Sequence, residues 1–297
     1  MSAHHQALAA VYYPLRLAKT IARSLGLSPR NHLRVLIYHD IAPAEQARFA
    51  AQLRWLARSW NFVSPAQFVG MVAGDEPIHG RNLLLTFDDG FASNRVIAEG
   101  VLNPLGIRAL FFVVSDLVRI EGRIEARRFM AARLFPEMHI EKLPAHWSNM
   151  GWKDLEALLE QGHCIGCHTA SHARLSEINT QVELEKETVS SADTLEQRLG
   201  VSIEHFSYTF GDLESFSEAA LAIARQRFRC VYSGLRGDNA RDVSPFTLRR
   251  DSAAGQDPLF NYRIFPNSLL GSFLEGAADG HYARSRARLD AWNLGQC

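Results

Sequence analysis

The sequence has no surplus of charge of either sign. Its 32 basic and 32 acidic residues balance, which argues against a nucleic-acid binder or a protein built for strongly anionic partners. Cysteine is sparse. The four present, Cys164, Cys167, Cys230 and Cys297, are too few and too unevenly placed for a disulfide framework, so reduced thiols in the cytoplasm are the simpler expectation. A long hydrophobic run is also missing. The apolar stretch from Ala7 to Leu27 is broken by Arg16, Lys19 and Arg23, and no small-residue cleavage site follows a continuous apolar core; it has the form of neither a membrane span nor the usual export signal. No internal repeat or low-complexity tract is visible. What is present is an ordinary globular composition, 47% hydrophobic and 22% charged over 297 residues. That length allows one large α/β barrel or two small domains, and one domain is the simpler choice.

Within the first 32 residues, Leu8, Val11, Tyr12, Leu15, Leu17, Ala18, Ile21 and Leu25 recur at near-helical spacing with the cations between them. This predicts an amphipathic helix, docked on the domain or attached to a membrane surface. Beyond it, strand-like and helix-like runs alternate. Strands are predicted over Leu33–Tyr38, Asn82–Phe87, Arg108–Val114, His163–Cys167, Glu204–Thr209, Phe228–Ser233 and Phe246–Arg250. Helices are predicted over Ala44–Arg58, after Ser93, and over Lys153–Glu160, Thr180–Leu199 and Ser217–Arg227. Such alternation implies a parallel sheet with helices outside it. Residues from Arg119 to Asn149 form an irregular, partly basic segment with a short helix at Ala126–Leu134, suited to a lid or to a plain surface excursion.

The most informative residues are Thr86-Phe-Asp88-Asp89-Gly90, at the end of the apolar run Leu83-Leu84-Leu85. Two adjacent carboxylates at a strand end repel, so one is expected to be held ionised by a cation while the other can have a raised pKa and act as a base. His168 and His172, four apart in Gly-Cys-His-Thr-Ala-Ser-His, can face one way on a tight loop or helical turn. Two imidazoles and one carboxylate with a position left for water form the ligand set of a catalytic zinc-type site.

Together these motifs resemble the first two of the polysaccharide deacetylases, the carbohydrate esterases with NodB homology. Arg34-Val-Leu-Ile-Tyr-His39-Asp40 resembles the family's first strand, and Phe206-Ser-Tyr-Thr-Phe-Gly211 stands in the place of the third motif. The similarity extends over roughly residues 33 to 250. It implies an α/β fold, a distorted, incomplete (β/α) barrel, with a catalytic domain over 33–270 between the N-terminal segment 1–32 and a C-terminal extension 271–297. The implied activity is hydrolysis of an N-acetyl group on a sugar polymer or its precursor. The implied roles are Asp89, His168 and His172 as ligands of a divalent metal, most naturally Zn2+; Asp88 as base; the backbone N–H at Phe210 as an oxyanion donor; and Tyr208, His39 and Asp40 as substrate-binding residues.

The chain departs from the family in three places. Ser207 stands where the third motif commonly carries the arginine that orients the base, so Arg250, or Arg249 beside it, is expected to return a guanidinium to Asp88. No convincing fourth motif is visible, and neither is the Leu-x-His that supplies a general acid, since His281 lacks its context. These gaps leave room for a catalytically impaired carbohydrate-binding or assembly protein on the same fold. Cys164-Ile-Gly-Cys167-His168 also matches the attachment pattern of a c-type haem, which would require export and would leave the paired aspartates unused. A cytoplasmic location, with peripheral membrane contact through the N-terminal helix as an option, favours a precursor sugar over a finished wall polymer.

Overall fold

The computed structural model describes residues 3–254 and 268–295. Strands β1 (His32–Tyr38) and β3 (Arg81–Phe87) are buried along nearly their whole length, as near-continuous apolar runs covered on both faces should be. They pair in parallel from His32↔Arg81 to Tyr38↔Phe87. β2 (Asn61–Phe62) joins the start of β3. On the far side of β3 follow β4 (Leu110–Val113), β5 (Cys164–Cys167), β6 (His205–Ser207) and β7 (Cys230–Tyr232), all parallel. β8 (Asp251–Ser252) pairs with β1 at the other edge.

The two edges are nearly joined. Leu248 bridges to Tyr232 of β7 while Asp251 and Ser252 pair with Leu36 and Ile37 of β1, so residues 248–252 form a seam across the gap. The result is the parallel sheet with outer helices expected from the alternation of elements, curled into the distorted, incomplete (β/α) barrel that the family resemblance implied. The expected last strand over Phe246–Arg250 is displaced to β8, because this segment crosses from one edge to the other and pairs only briefly with each. The expected helix over Thr180–Leu199 is Gln181–Glu185 and Ser191–Leu199 joined by a wide π-type turn over Lys186–Ser190.

Strand parity divides the core. Leu33, Val35, Leu84, Leu110, Phe112 and Tyr232 fill the barrel interior, whereas Leu36, Tyr38, Leu85, Phe87, Phe111 and Val113 pack under the outer helices. Continuing the inward parity along β3 leads from Leu84 through Thr86 to Asp88, just beyond the strand's C-terminal end.

At the N-terminus, α1 (Ala3–Ala10) and α2 (Tyr12–Ser24) pack on the helix Leu269–Leu274. Tyr12 is buried with its ring edge-on to Trp55 at 5.7 Å. No helix among the described residues is long and apolar enough to cross a membrane. A helix at Pro65–Ala73 went unrecognised in the sequence, although Ser64 and Gln67 form a reciprocal capping box around its first turn.

Candidate active site

The C-terminal ends of the strands open into a cavity of about 620 Å³, lined among others by His39, Asp40, Asp88, Asp89, His168, His172, Phe210 and Arg250. Catalytic groups of such barrels collect at this end. The backbone there is unusual. Among the described residues five non-glycine positions have left-handed φ, and four of them, Asp89 (73°), Thr169 (65°), His172 (60°) and Phe210 (62°), belong to this region. Each such conformation carries a cost of order 1 kcal/mol and persists only where surrounding contacts fix it.

Asp88 is still in line with the sheet, its N–H donating to the Tyr38 carbonyl at 2.9 Å. At Asp89 and Gly90, both left-handed, the chain turns away. This reversal aims the two carboxylates at different partners. Asp88 faces Arg250, whose two terminal nitrogens donate to Oδ1 and Oδ2 at 2.8 Å each. The guanidinium also donates to Thr86 Oγ1 (3.1 Å), to the Ser233 carbonyl (2.9 Å) and to Ser207 Oγ, so all five of its N–H donors are satisfied. Arg250 is 1% exposed and lies 5.1 Å from the Phe112 ring centroid. The raised pKa expected of the base carboxylate is not found: burial pushes the Asp88 carboxyl up, but Arg250 and then His168 outweigh it and hold the group below the ordinary carboxylate range.

Asp89 faces the two histidines. Its Oδ1 is 3.4 Å from Nε2 of His168 and 3.4 Å from Nε2 of His172, and one ligand atom from each of the three residues lies within 4.8 Å of the others. His168 Nδ1 is 2.7 Å from the Ser207 carbonyl and His172 Nδ1 is 3.1 Å from the Arg133 carbonyl. A carbonyl only accepts, so both Nδ1 atoms carry hydrogens and a neutral ring turns a bare Nε2 lone pair toward the carboxylate. Three acceptors pointing at one another, all buried, require positive charge between them. That donor set fits a divalent cation. Burial raises Asp89, but the two imidazoles more than reverse this and leave it well below the usual carboxylate range. His168 is shifted up, the nearby carboxylates outweighing its burial.

The loop carrying the histidines is fastened from behind. Glu187, on the wide turn of the outer helix, accepts from the backbone N–H groups of Ala170 (3.1 Å) and Ser171 (2.9 Å) and from Ser171 Oγ (2.8 Å). Thr169 Oγ1 accepts from the His172 N–H at 2.9 Å. Nothing in the linear pattern singled out Glu187.

The segment 119–149 builds a wall of the cavity. Ala126, Met130, Leu134 and Leu143 pack with Phe91, Val114 and Leu117 in a small core of their own. The segment supplies the Arg133 carbonyl to His172 and brings His146 and Trp147 into the cavity lining. Asp40 accepts from both, at 2.6 Å from His146 Nε2 and 2.8 Å from Trp147 Nε1. His146 was not anticipated, because an isolated histidine in an irregular stretch has no pattern to mark it.

Other expected site residues are placed as follows. Phe210 is 39% exposed, with its ring centroid 4.8 Å from that of His172 and the Arg174 guanidinium 3.9 Å over the ring. His39 and Asp40 line the cavity. Tyr208 is the correction: it is 1% exposed, stacks on Phe216 at 4.1 Å and does not line the cavity, since strand parity turns its ring under the outer helices. Arg249 points away from Asp88, donating to the Asp238 carbonyl at 3.0 Å. The cysteines do not form a haem attachment site. Cys167 packs in the outer core and Cys164 against the barrel interior, and burial pushes both thiols up to about 12.

The family model described as polysaccharide deacetylase matches residues 75–227. The Bacillus subtilis protein YxkH, whose name assigns it provisionally to the polysaccharide deacetylases, is 21% identical over 225 residues, 73% of this chain and 70% of its own length. Among solved structures, IcaB from Ammonifex degensii superposes with a TM-score of 0.59 at 23% identity, covering 75% of this chain and 92% of that one. The Streptococcus pyogenes deacetylase PplD, described in complex with acetate, superposes with a TM-score of 0.58 at 19% identity, covering 77% and 95%. These structural likenesses concern the fold.

Proposed function

Given that the chain belongs to the polysaccharide deacetylase family, we propose that it hydrolyses an N-acetyl group on a sugar of a polysaccharide or glycan precursor, with a divalent metal, most naturally Zn2+, held by Asp89, His168 and His172. The observation that carries this proposal is the buried trio of acceptors, with both Nδ1 atoms engaged by backbone carbonyls. When bound, such a cation supplies a Lewis acid that polarises an acyl carbonyl and acidifies water.

The chain's own groups do the rest. Asp88, kept ionised and fixed in orientation by the two-point Arg250 contact, takes the proton of the attacking water. The backbone N–H of Phe210 is offered to the developing oxyanion, and the left-handed φ of that residue aims the peptide. His146, oriented by Asp40 at the cavity wall, protonates the departing amine, the role left open by the missing Leu-x-His. His39 and the exposed face of Phe210 bound the space for the sugar.

The test is acetate release from N-acetylated oligosaccharides, together with metal content by mass spectrometry. About one equivalent of metal and a loss of at least about a hundredfold in kcat for Asp88→Asn are expected, with His146→Gln lowering kcat more than it changes KM. Equal rates for wild type and Asp88→Asn would overturn the enzymatic reading, and failure to take up metal after reconstitution would favour a carbohydrate binder.

A further inference from the structure

Helix α2 is oriented in a way that burial alone does not explain. An amphipathic helix on a protein normally turns its apolar side inward. Here Tyr12 is buried, Arg16 donates to the Tyr12 hydroxyl at 2.7 Å, and Arg23 reaches inward to Glu275 at 2.7 Å. The opposite side is apolar and uncovered among the described residues: Val11, Leu17, Ile21 and Leu25 are 43%, 51%, 51% and 66% exposed, and Leu27 just beyond the helix is 79% exposed. With the exposed Ala10, Pro14 and Ala18, these residues recur at three- and four-residue steps, so they form one continuous stripe.

The charge carried by this first segment has one sign. No Asp or Glu occurs before Asp40, while Arg16, Lys19, Arg23, Arg30 and Arg34 all do. Balance over the whole chain conceals a wholly cationic first segment. Lys19 and Arg241 line a second cavity of about 400 Å³ beside the helix, together with the ion-paired Asp238, Glu275 and Asp279, while Arg30 and Arg241 line the adjoining groove over residues 26–31, whose lining holds no acid. Lys19, Arg30 and Arg241 form no ion pair among the described residues. The end of the helix lies beside the first residues of the strands, since Arg23 and Arg81, the opening residue of β3, share Glu275. It is therefore at the opposite end of the barrel from the catalytic cavity.

We propose that this face is a docking surface for an anionic lipid bilayer, with Leu17, Ile21, Leu25 and Leu27 entering the interfacial region and Arg30 and Arg241 meeting the headgroups. A second copy of the chain fits less well, because pairing two such stripes brings the unpaired Arg30 and Arg241 of each copy toward those of the other. Adsorption in this pose leaves the catalytic mouth at the far end of the barrel, open to a sugar chain.

The experiment is co-sedimentation of the full chain with vesicles of phosphatidylcholine alone and of phosphatidylcholine mixed with phosphatidylglycerol. Binding is expected with the mixed vesicles, weaker with the neutral ones, and it declines as salt is raised. Leu17→Gln/Ile21→Gln/Leu25→Gln should reduce the bound fraction roughly tenfold or more, with its thermal unfolding curve and its hydrolysis of a soluble N-acetylated oligosaccharide unchanged. Arg30→Gln/Arg241→Gln should weaken binding only to the anionic vesicles. The proposal is overturned if the wild type stays in the supernatant with both vesicle types, if the triple variant sediments like the wild type, or if the wild type self-associates through the stripe and binds no vesicle.

Discussion

Replacing Arg250 with methionine tests the centre of the site by its energetics alone. The guanidinium is buried, spends two of its five donors on Asp88 and three on Thr86, Ser207 and Ser233, and its loss strands a carboxylate that is 3% exposed. Leaving one member of a buried ion pair unpaired costs about 3–5 kcal/mol. Protonation of Asp88 sets a ceiling on that cost. A carboxyl that titrates near 3.8 when unpaired can be neutralised at pH 7 for about 4 kcal/mol and at pH 5 for about 1.5 kcal/mol, at 1.36 kcal/mol per pH unit. In Arg250→Met the folded state then binds a proton that the unfolded chain does not, so its deficit relative to wild type shrinks on acidification. Urea unfolding followed by tryptophan fluorescence, with chelator present throughout, should give a deficit of about 3–4 kcal/mol at pH 7 that falls by roughly 2–3 kcal/mol at pH 5. In Asp88→Asn/Arg250→Met that dependence on pH should disappear. A deficit equal at both pH values, or below about 1 kcal/mol at pH 7, would refute the account of Arg250 as the buried counter-ion of Asp88.

Two further outcomes are expected. Glu187→Ala removes an acceptor from the Ala170 and Ser171 N–H groups and should destabilise the protein by about 1–3 kcal/mol. It should also weaken metal binding about 10- to 100-fold in a chelator competition; unchanged affinity would mean the histidine loop keeps its shape unaided. The second outcome concerns acid. Burial, and secondarily Arg229, push the His205 ring down to about 4, so between pH 6.5 and 4 the unfolded chain takes up a proton that the folded one refuses. Stability is fully present above that window and declines through it, by about 3 kcal/mol at its lower end. His205→Gln should remove this part of the pH slope in urea titrations, and an unaltered slope would contradict it.

Much of the barrel was legible because buried parallel strands announce themselves as short apolar runs, and those at β1 and β3 were located to within one residue. The Asp-Asp-Gly and His-x-x-x-His spacings identified groups that the fold brings within 4.8 Å of one another. Arg250 was foreseeable once Ser207 was seen to lack a guanidinium, and their contact in the structure unites the two observations. Three things were not legible. Residues 248–252 pair too briefly with either edge to leave a period of two. The small core of 119–149 uses apolar residues scattered over irregular turns, so the segment that fixes His172 and carries His146 had no periodicity to read. Tyr208 looked like a pocket residue from its motif, but its position on β6 parity decides where the ring goes.

The seam at residues 248–252 also orders events in time. Asp88 leaves the synthetic machinery some 160 residues before its counter-ion Arg250, so a nascent chain that has all of β3 to β7 still has no guanidinium to neutralise that carboxylate in a closed interior. Interior closure, active-site electrostatics and completion of the ring thus become a single late event. Until the last stave arrives, shutting the barrel carries the penalty of an uncompensated acid inside it.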